Sequence, residues 1–440
     1  MSPELISVLA LVVMFVIATT MPINLGALAL VGAGVVGLYV AGMSEDDILG
    51  QFPGDLFVTL VGVTYLFAIA SNNGTVDWLV RAGVRAVSGR LVAIPLVMFL
   101  IAALLTGIGA AAPAVAAILA PIAFGFAYRY NIHPLLVGLA VAHGTQAGAF
   151  SPISVLGTIV SQVLDKSPQV PQNDLWLFLG SFIFNTAAIV IVFFLFGGPK
   201  LMGRREGDED SGGGSEAASA SRPATAGDAG AVKAPESASD LRLTMHQGFT
   251  LLGIVLLCVF TLALGLDVGL VAVTVAVALT LISPREGKGA VDKIAWPVVL
   301  LVGGVATYVG VLQEMGTVDF IGQGIAGMGT ALVAALLICY LGGVVSAFAS
   351  SVGIMSALIP LAVPFLVQGE IGAVGMVAAF AVSATIVDVS PFSTTGALLV
   401  ANVQGMDRQV FYRRLLAYGA VIVAVGPLSA WLFLVAPGWL

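Results

Sequence analysis

Apolar runs recur along the whole chain, and each is about as long as the roughly 20 residues a helix needs to cross a bilayer. In the first part they lie near 3–19, 22–42, 55–72, 133–164 and 174–198, with a longer apolar block at 91–127. A polar stretch from Lys200 to Thr244 follows, rich in Ser, Gly, Ala and acidic residues. The pattern then starts again, near 246–264, 267–283, 295–313, 371–402 and 410–436, with a second long block at 330–368. Each long block carries small residues at its middle, which predicts two helical arms meeting at a tip. Such a re-entrant hairpin is tolerated at membrane depth where protein or a water-filled cavity covers its backbone. The pattern therefore predicts an all-α polytopic membrane protein with two repeats, 1–199 and 245–440, joined by a disordered linker at 200–244. Each repeat has five spans and one hairpin.

Five is an odd number, so the two repeats are expected to lie in opposite orientations. Basic residues favour the cytoplasmic side. With the N-terminus outside, 16 of the 17 Lys and Arg residues fall inside, among them Arg81, Arg90, Arg129, Lys200, Arg285, Lys293 and Arg414. Only Lys166 falls outside. The expected arrangement is a multi-pass protein of the cell membrane with both termini outside and the linker in the cytoplasm.

The two parts also align residue by residue. At a shift of 239, Pro121 becomes Pro360 and Ser151-Pro152-x-Ser154-x-x-Gly157 becomes Ser390-Pro391-x-Ser393-x-x-Gly396. Upstream, Gly74-Thr75-Val76-Asp77-Trp78 returns as Gly316-Thr317-Val318-Asp319-Phe320. Each Ser-Pro-x-Ser-x-x-Gly frame falls inside a predicted span, 133–164 or 371–402. Proline removes a backbone donor, and glycine is expected to permit unwinding. Two broken helices in inverted repeats are an architecture of secondary transporters, with the site at the breaks.

Composition narrows the chemistry. The chain is 59% hydrophobic and 9% charged, against about 25% charged in soluble proteins. The net charge of −7 argues against nucleic acid as a partner. Cys258 and Cys339 lie in apolar runs and read as packing residues. No metal cluster, nucleophile–base pair or phosphate loop stands out, so an enzyme is not expected, and neither is a cofactor.

Polar residues deep in the apolar runs are few. Asp388 lies two residues before Ser390-Pro391, while its repeat mate is Ala149. An acid there is a functional candidate by default, as cation ligand, proton carrier or cap of the broken backbone. His143, near Gln146, either titrates or makes a helix-packing hydrogen bond. Asn72 and Asn73 read as a cap or helix break. The second hairpin tip is polar, with Ser346, Ser350 and Ser351, while the first is nearly bare, with Gly107, Gly109, Ala111, Ala112 and Pro113. The second break is likewise richer, Ser393-Thr394-Thr395 against Ser154-Val155-Leu156. The amphipathic stretches 75–90 and 316–328 read as helices lying in the membrane interface. No Lys or Arg falls in this region, so an anionic substrate would need hydroxyls, helix ends and a bound cation to neutralise it.

The layout resembles the divalent-anion/sodium symporters of the ion-transporter superfamily, and among them the MatC-type malonate or dicarboxylate carriers. The residues that carry the resemblance are Ser350-Ser351-Val352-Gly353 leading to Pro360, and Ser390-Pro391-Phe392-Ser393-Thr394-Thr395-Gly396. Their counterparts are Ala111-Ala112-Pro113 leading to Pro121, and Ser151-Pro152-Ile153-Ser154-Val155-Leu156-Gly157. The resemblance implies a homodimer whose transport domain, holding both hairpins and both broken helices, moves as an elevator against a fixed scaffold. It implies one sodium site at Gly107, Ala111, Ala112 and Ser154, and another at Ser346, Ala349, Ser351 and Ser393, to which the residues alone add Asp388. It places substrate carboxylates against Ser351, Val352, Thr394 and Thr395, with Ala112, Pro113 and Val155 opposite. Better-known members carry Ser-Asn-Thr at both tips, and this chain has it at neither.

The function expected is cation-coupled symport, with sodium or protons, of a small dicarboxylate such as malonate. A cation/proton antiporter with Asp388 as the exchanging acid is the alternative. Paired hairpins argue against a channel, which has no need of them.

Overall fold

The computed structural model describes residues 2–86, 90–165, 169–204, 243–317, 320, 330–347, 351–367 and 371–438. Lys166, Ala349, Ser350 and most of the 200–244 linker lie outside the described residues, as does most of 316–328. The described chain is helical, with no strand among the described residues.

Polar residues between the apolar runs punctuate the helices. Ser2 opens α1 (Pro3–Thr20), accepting from the Leu5 amide, and Asn24 opens α2 (Leu25–Val36), accepting from Gly26 N at 2.9 Å. Then come α3 (Gly54–Asn72) and α4 (Thr75–Ala86), the start of the expected interface helix. The first long block holds α5 (Ile94–Gly107) and α6 (Ala112–Arg129). The first broken span holds α7 (Pro134–Gly148) and α8 (Val155–Asp165), and α9 (Asp174–Leu195) ends this part. Thr244 and Gln247 form a capping box that opens α10 (Met245–Leu262), and Asp267 caps α11 (Val268–Ile282). Each such cap is worth about 1 kcal/mol. After α12 (Trp296–Glu314), the second block holds α13 (Ala331–Ser346) and α14 (Ser351–Val367). The second broken span holds α15 (Ala373–Ile386), a 3-10 turn at Val387–Val389 and α16 (Thr394–Asn402). The last helix is α17 (Arg408–Ala430).

By length and composition, seven described segments can cross a membrane: Gly54–Asn72, Ala112–Arg129, Asp174–Leu195, Met245–Leu262, Trp296–Glu314, Ala373–Asn402 and Arg408–Val435. The remaining apolar helices are shorter, because the chain breaks runs that read as continuous in sequence. Leu25–Ala41 and Val268–Ile282 are also shorter than these seven. Large apolar side chains point outward along these helices, such as Leu5, Leu9, Val12 and Val16 on α1, as a lipid-facing surface requires.

The two parts pack on each other reciprocally. Helix α2 packs against α12, and its counterpart α11 packs against α3. Glycines make both crossings possible. A Cβ on Gly26 would lie 2.0 Å from the Leu300 carbonyl oxygen, and one on Gly304 would lie 1.9 Å from the Gly26 carbonyl oxygen. At the equivalent crossing, a Cβ on Gly62 would lie 2.7 Å from Gly269 O, and one on Gly269 would lie 2.6 Å from Thr59 N. Small residues let membrane helices approach this closely. In the same reciprocal way α6 packs on α16, and α14 on α8.

The two helices that precede the breaks form the centre. Every residue of α7, and every residue of α15 except Val374, is buried. Helices α5, α6 and α9 surround the first, and α13, α9 and α17 the second. The breaks therefore open at the most enclosed part of the molecule.

Candidate functional site

The two Ser-Pro-x-Ser-x-x-Gly frames fold into the same hydrogen-bonded turn. At the first, Ser154 Oγ donates to Ala149 O (2.5 Å), with Ser151 O also within reach (2.7 Å), and accepts from Gly157 N (3.2 Å). At the second, Ser393 Oγ donates to Asp388 O (2.5 Å), with Ser390 O at 2.8 Å, and accepts from Gly396 N (3.0 Å). The leading serines hold the turn open: Ile153 N donates to Ser151 Oγ at 3.4 Å and Phe392 N to Ser390 Oγ at 3.3 Å. The second serine of each frame is thus the N-cap of the helix that follows. The glycine serves something other than the unwinding expected of it. It lies inside α8 or α16, where a Cβ would come within 2.0 Å of Ser151 O or 1.9 Å of Ser390 O. The frame is a recipe for restarting a helix tightly against its own turn.

Four helices begin around one cavity of about 130 Å³. Its wall holds Ala111, Ala112 and Pro113 from the start of α6, Ser154, Val155 and Leu156 from α8, Ser351 and Val352 from α14, and Ser393, Thr394 and Thr395 from α16. Asp388, Gln146, Thr106, Ala110, Ala149 and Val298 complete it. A single water needs roughly 10–15 Å³ on this measure, so the space suits a small multi-atom solute. Among the wall residues Asp388 is the only charged side chain.

The Asp388 carboxylate is held from two sides. Ser351 Oγ donates to Oδ1 at 2.5 Å and itself accepts from Ser346 Oγ at 3.0 Å. Gln146 Nε2 donates to Oδ2 at 3.2 Å. The second hairpin tip, the second break and the central helix of the first part therefore meet at one carboxylate.

All seven residues expected to meet substrate line this cavity: Ser351, Val352, Thr394, Thr395, Ala112, Pro113 and Val155. Of those expected to hold cations, Ala111, Ala112, Ser154, Ser351, Ser393 and Asp388 line it too. Ser346 stands behind Ser351. The Gly107 carbonyl, one layer back, accepts from the Ser151 hydroxyl, which ties the first hairpin to the first break. Ala349 lies outside the described residues. Sequence reasoning passed over Gln146, Thr106 and Val298 as wall residues. Gln146 carried a usable signal, being a polar residue in an apolar helix. Thr106 bonds back to Ala102 O at 2.9 Å, and Val298 arrives from α12 only through tertiary packing.

The other polar candidates act elsewhere. His143 is fully buried, with Nδ1 2.9 Å from Asn185 Oδ1 and Nε2 2.7 Å from the Tyr418 hydroxyl. Asn185 Nδ2 donates to Ser181 O at 2.9 Å, so Asn185 offers His143 its oxygen and Nε2 accepts from Tyr418. This is the helix-packing bond among the alternatives, joining α7, α9 and α17. Asn73 accepts from Thr75 N (3.0 Å) and so starts α4, the cap expected of it. Asn72 donates to Glu286 O at 2.9 Å and accepts from the Lys293 ammonium. A second cavity of about 250 Å³, with Lys293, Thr64 and Ser71 on its wall, meets the first at Ala110 and Ala111.

Two family models match the chain, one in each part. Residues 1–149 match the dicarboxylate carrier protein MatC N-terminus, and residues 254–436 match the citrate transporter family. No curated protein matches it. Among solved structures, the YdaH transporter of Alcanivorax borkumensis, described as having an unusual topology, is similar at 15% identity and a TM-score of 0.57. The similarity covers 89% of this chain and 88% of that one, and at this identity it is a likeness of fold. The resemblance to dicarboxylate carriers read from the sequence is borne out. The two matches support a multi-pass secondary transporter, a non-enzymatic carrier, that is similar in its first part to dicarboxylate carriers and in its second to citrate transporters.

Proposed function

We propose that the protein is a cation-coupled symporter of a small dicarboxylate, such as malonate or another C3–C4 diacid, bound in the cavity between the two breaks. The observation that carries this is the convergence of four helix N-termini on a cavity whose one charged side chain is an acid. Each N-terminus offers about +0.5 of an elementary charge and unpaired backbone donors. Four offer about +2, which matches two carboxylates. The Asp388 carboxylate adds a negative charge that this field leaves unbalanced. A cation, sodium or a proton, restores the balance, so anion affinity depends on cation binding and the two move together. The wall roles follow the chemistry. Thr394, Thr395 and Ser351 offer hydroxyls to one carboxylate, and Ala112, Pro113 and Val155 offer shape and backbone to the other.

The cation set we propose is Ser346, Ser351, Asp388 and Ser393 in the second part, with Gly107, Ala111, Ala112 and Ser154 a backbone-weighted set in the first. At Ser154 and Ser393 the hydroxyl proton goes to a carbonyl and one lone pair takes the glycine amide, which leaves the second lone pair for a ligand. Transport is proposed to follow an elevator path within a homodimer. Two helix groups support this reading: α2, α3, α11 and α12 pair through close glycine contacts, while α5 to α9 and α13 to α17 pack around the breaks. The basic residues support termini outside and the linker in the cytoplasm of a cell-membrane protein. The second cavity, with Lys293 at its wall, is then the cytoplasmic approach to the first.

The test is uptake of labelled malonate, succinate or citrate into proteoliposomes, with sodium and proton gradients imposed separately. Uptake of a diacid driven by one of the two gradients is expected. Cation/proton exchange without uptake of any of the three acids would overturn the proposal.

A further inference from the structure

We infer that Gln146 and Asp388 together hold one metal cation, so that a coupling site is shared between the two parts of the chain rather than built separately within each. This rests on the reading of the protein as a cation-coupled carrier. Gln146 lies in the last turn of α7, is 1% exposed and lines the cavity. Its place is fixed, because its carbonyl accepts from Ser181 Oγ at 2.8 Å and its Nε2 donates to Asp388 Oδ2 at 3.2 Å. Its Oε1 is buried and has no hydrogen-bond partner. Leaving a buried acceptor unpaired is costly, and native interiors rarely do it without a reason. Five described residues carry such an atom, His133, Gln146, Gln162, Thr186 and Thr261, and of these only Gln146 lies on the cavity wall.

The neighbouring acid tells what the oxygen awaits. Both oxygens of Asp388 already accept, from Ser351 Oγ and from Gln146 Nε2. That pattern is built around the ionised carboxylate. A proton added to Oδ2 would face the Gln146 amide N–H and leave Oε1 as it was. A metal cation beside the pair instead satisfies Oε1 and the carboxylate charge at once. Amide, carboxylate and hydroxyl oxygens are the ligands a hard cation takes.

The pair cannot be duplicated by the repeat. The mate of Gln146 is Thr385, whose hydroxyl is bonded back to Ala381 O at 2.8 Å, and the mate of Asp388 is Ala149. A cation here also reaches the second hairpin through Ser351, the first residue of α14. Its binding would hold that tip against both central helices, which is how occupancy could gate the cavity.

The test uses full-length protein in detergent without dicarboxylate. Its thermal midpoint is followed as sodium chloride replaces choline chloride at constant ionic strength. Wild type is expected to rise saturably with sodium. Gln146→Met, similar in size but without the oxygen, is expected to need at least about tenfold more sodium, the range seen when a metal site loses a partner. Gln146→Glu keeps an oxygen and is expected to bind sodium at least as tightly as wild type. Should Gln146→Met fail to fold, Gln146→Thr, which copies the repeat mate, carries the same expectation. A normal sodium response in Gln146→Met or Gln146→Thr overturns the shared site and leaves cation coupling standing. Absence of any sodium response in wild type overturns the metal site and leaves the proton as the coupling cation.

Discussion

At the first break Ser154 caps a helix that begins Val155-Leu156, and at the second Ser393 caps one that begins Thr394-Thr395. The cap bonds agree to within 0.2 Å: 2.5 and 2.7 Å to carbonyls and 3.2 Å from the glycine amide at the first, against 2.5, 2.8 and 3.0 Å at the second. The side chains around them do not agree. The residue whose carbonyl takes the cap hydroxyl is Ala149 in one and Asp388 in the other. The hairpin tip beside the first is lined by Ala110, Ala111 and Ala112, while Ser351 of the second bonds the acid. The residues that build the turn are repeated, while the acid and most of the hydroxyls on the cavity wall are not. A duplicated scaffold can thus carry an asymmetric site.

The sharpest way to break this comparison is through the glycines. Gly157→Ala and Gly396→Ala each drive a Cβ to within 2.0 or 1.9 Å of a backbone carbonyl. Neither carbonyl can retreat without losing the turn, so each substitution is expected to cost about 3 kcal/mol, the upper end of overpacking effects. Thermal midpoints of purified protein check this. Tolerance at one site and collapse at the other would show that the skeletons differ.

Asp388→Asn should affect transport next most strongly. It keeps the shape but removes the charge that draws the cation and that Ser351 and Gln146 bond. Interactions of a charged hydrogen-bonded group are worth about 1.5–3 kcal/mol, so gradient-driven uptake should fall roughly 10- to 100-fold at limiting cation. Unchanged coupling stoichiometry and uptake would reduce Asp388 to a structural cap.

The serine pair sharpens the comparison further. Ser154→Ala and Ser393→Ala each remove an N-cap and should cost about 1 kcal/mol of stability alike. Their effects on the cation concentration for half-maximal uptake should diverge, with Ser393→Ala the larger. Equal shifts would mean that the two parts contribute equally. Smaller again, Thr395→Val should raise the half-saturating dicarboxylate concentration about fivefold, the worth of one neutral hydrogen bond. Val155→Ala, on the opposite wall, should change it by less than about twofold, since it removes no polar partner.

Much of this site was legible in the chain because the repeat marks it twice. Ser-Pro-x-Ser-x-x-Gly located both breaks, and the small or polar residues at 107–113 and 346–351 located both tips. Residues such as Val155, Thr394 and Ser351 were placed at the site by position through the family resemblance, and the cavity wall holds all three. What escaped was tertiary. Val298 reaches the wall from α12 of the other helix group, and the orphaned oxygen of Gln146 exists only because Ser181 and Asp388 fix that residue from two sides. The role of the glycines was misjudged for the same reason. Their need is a close carbonyl six residues back, not a flexible backbone.

The most direct test of the central claim is binding of labelled malonate or succinate to the purified protein, with sodium or protons varied and the other held constant. With an acid and no basic side chain on the cavity wall, the affinity for the diacid should rise at least about tenfold as the coupling cation is added, within the usual range of linked binding. Equal affinity with and without either cation would contradict the account.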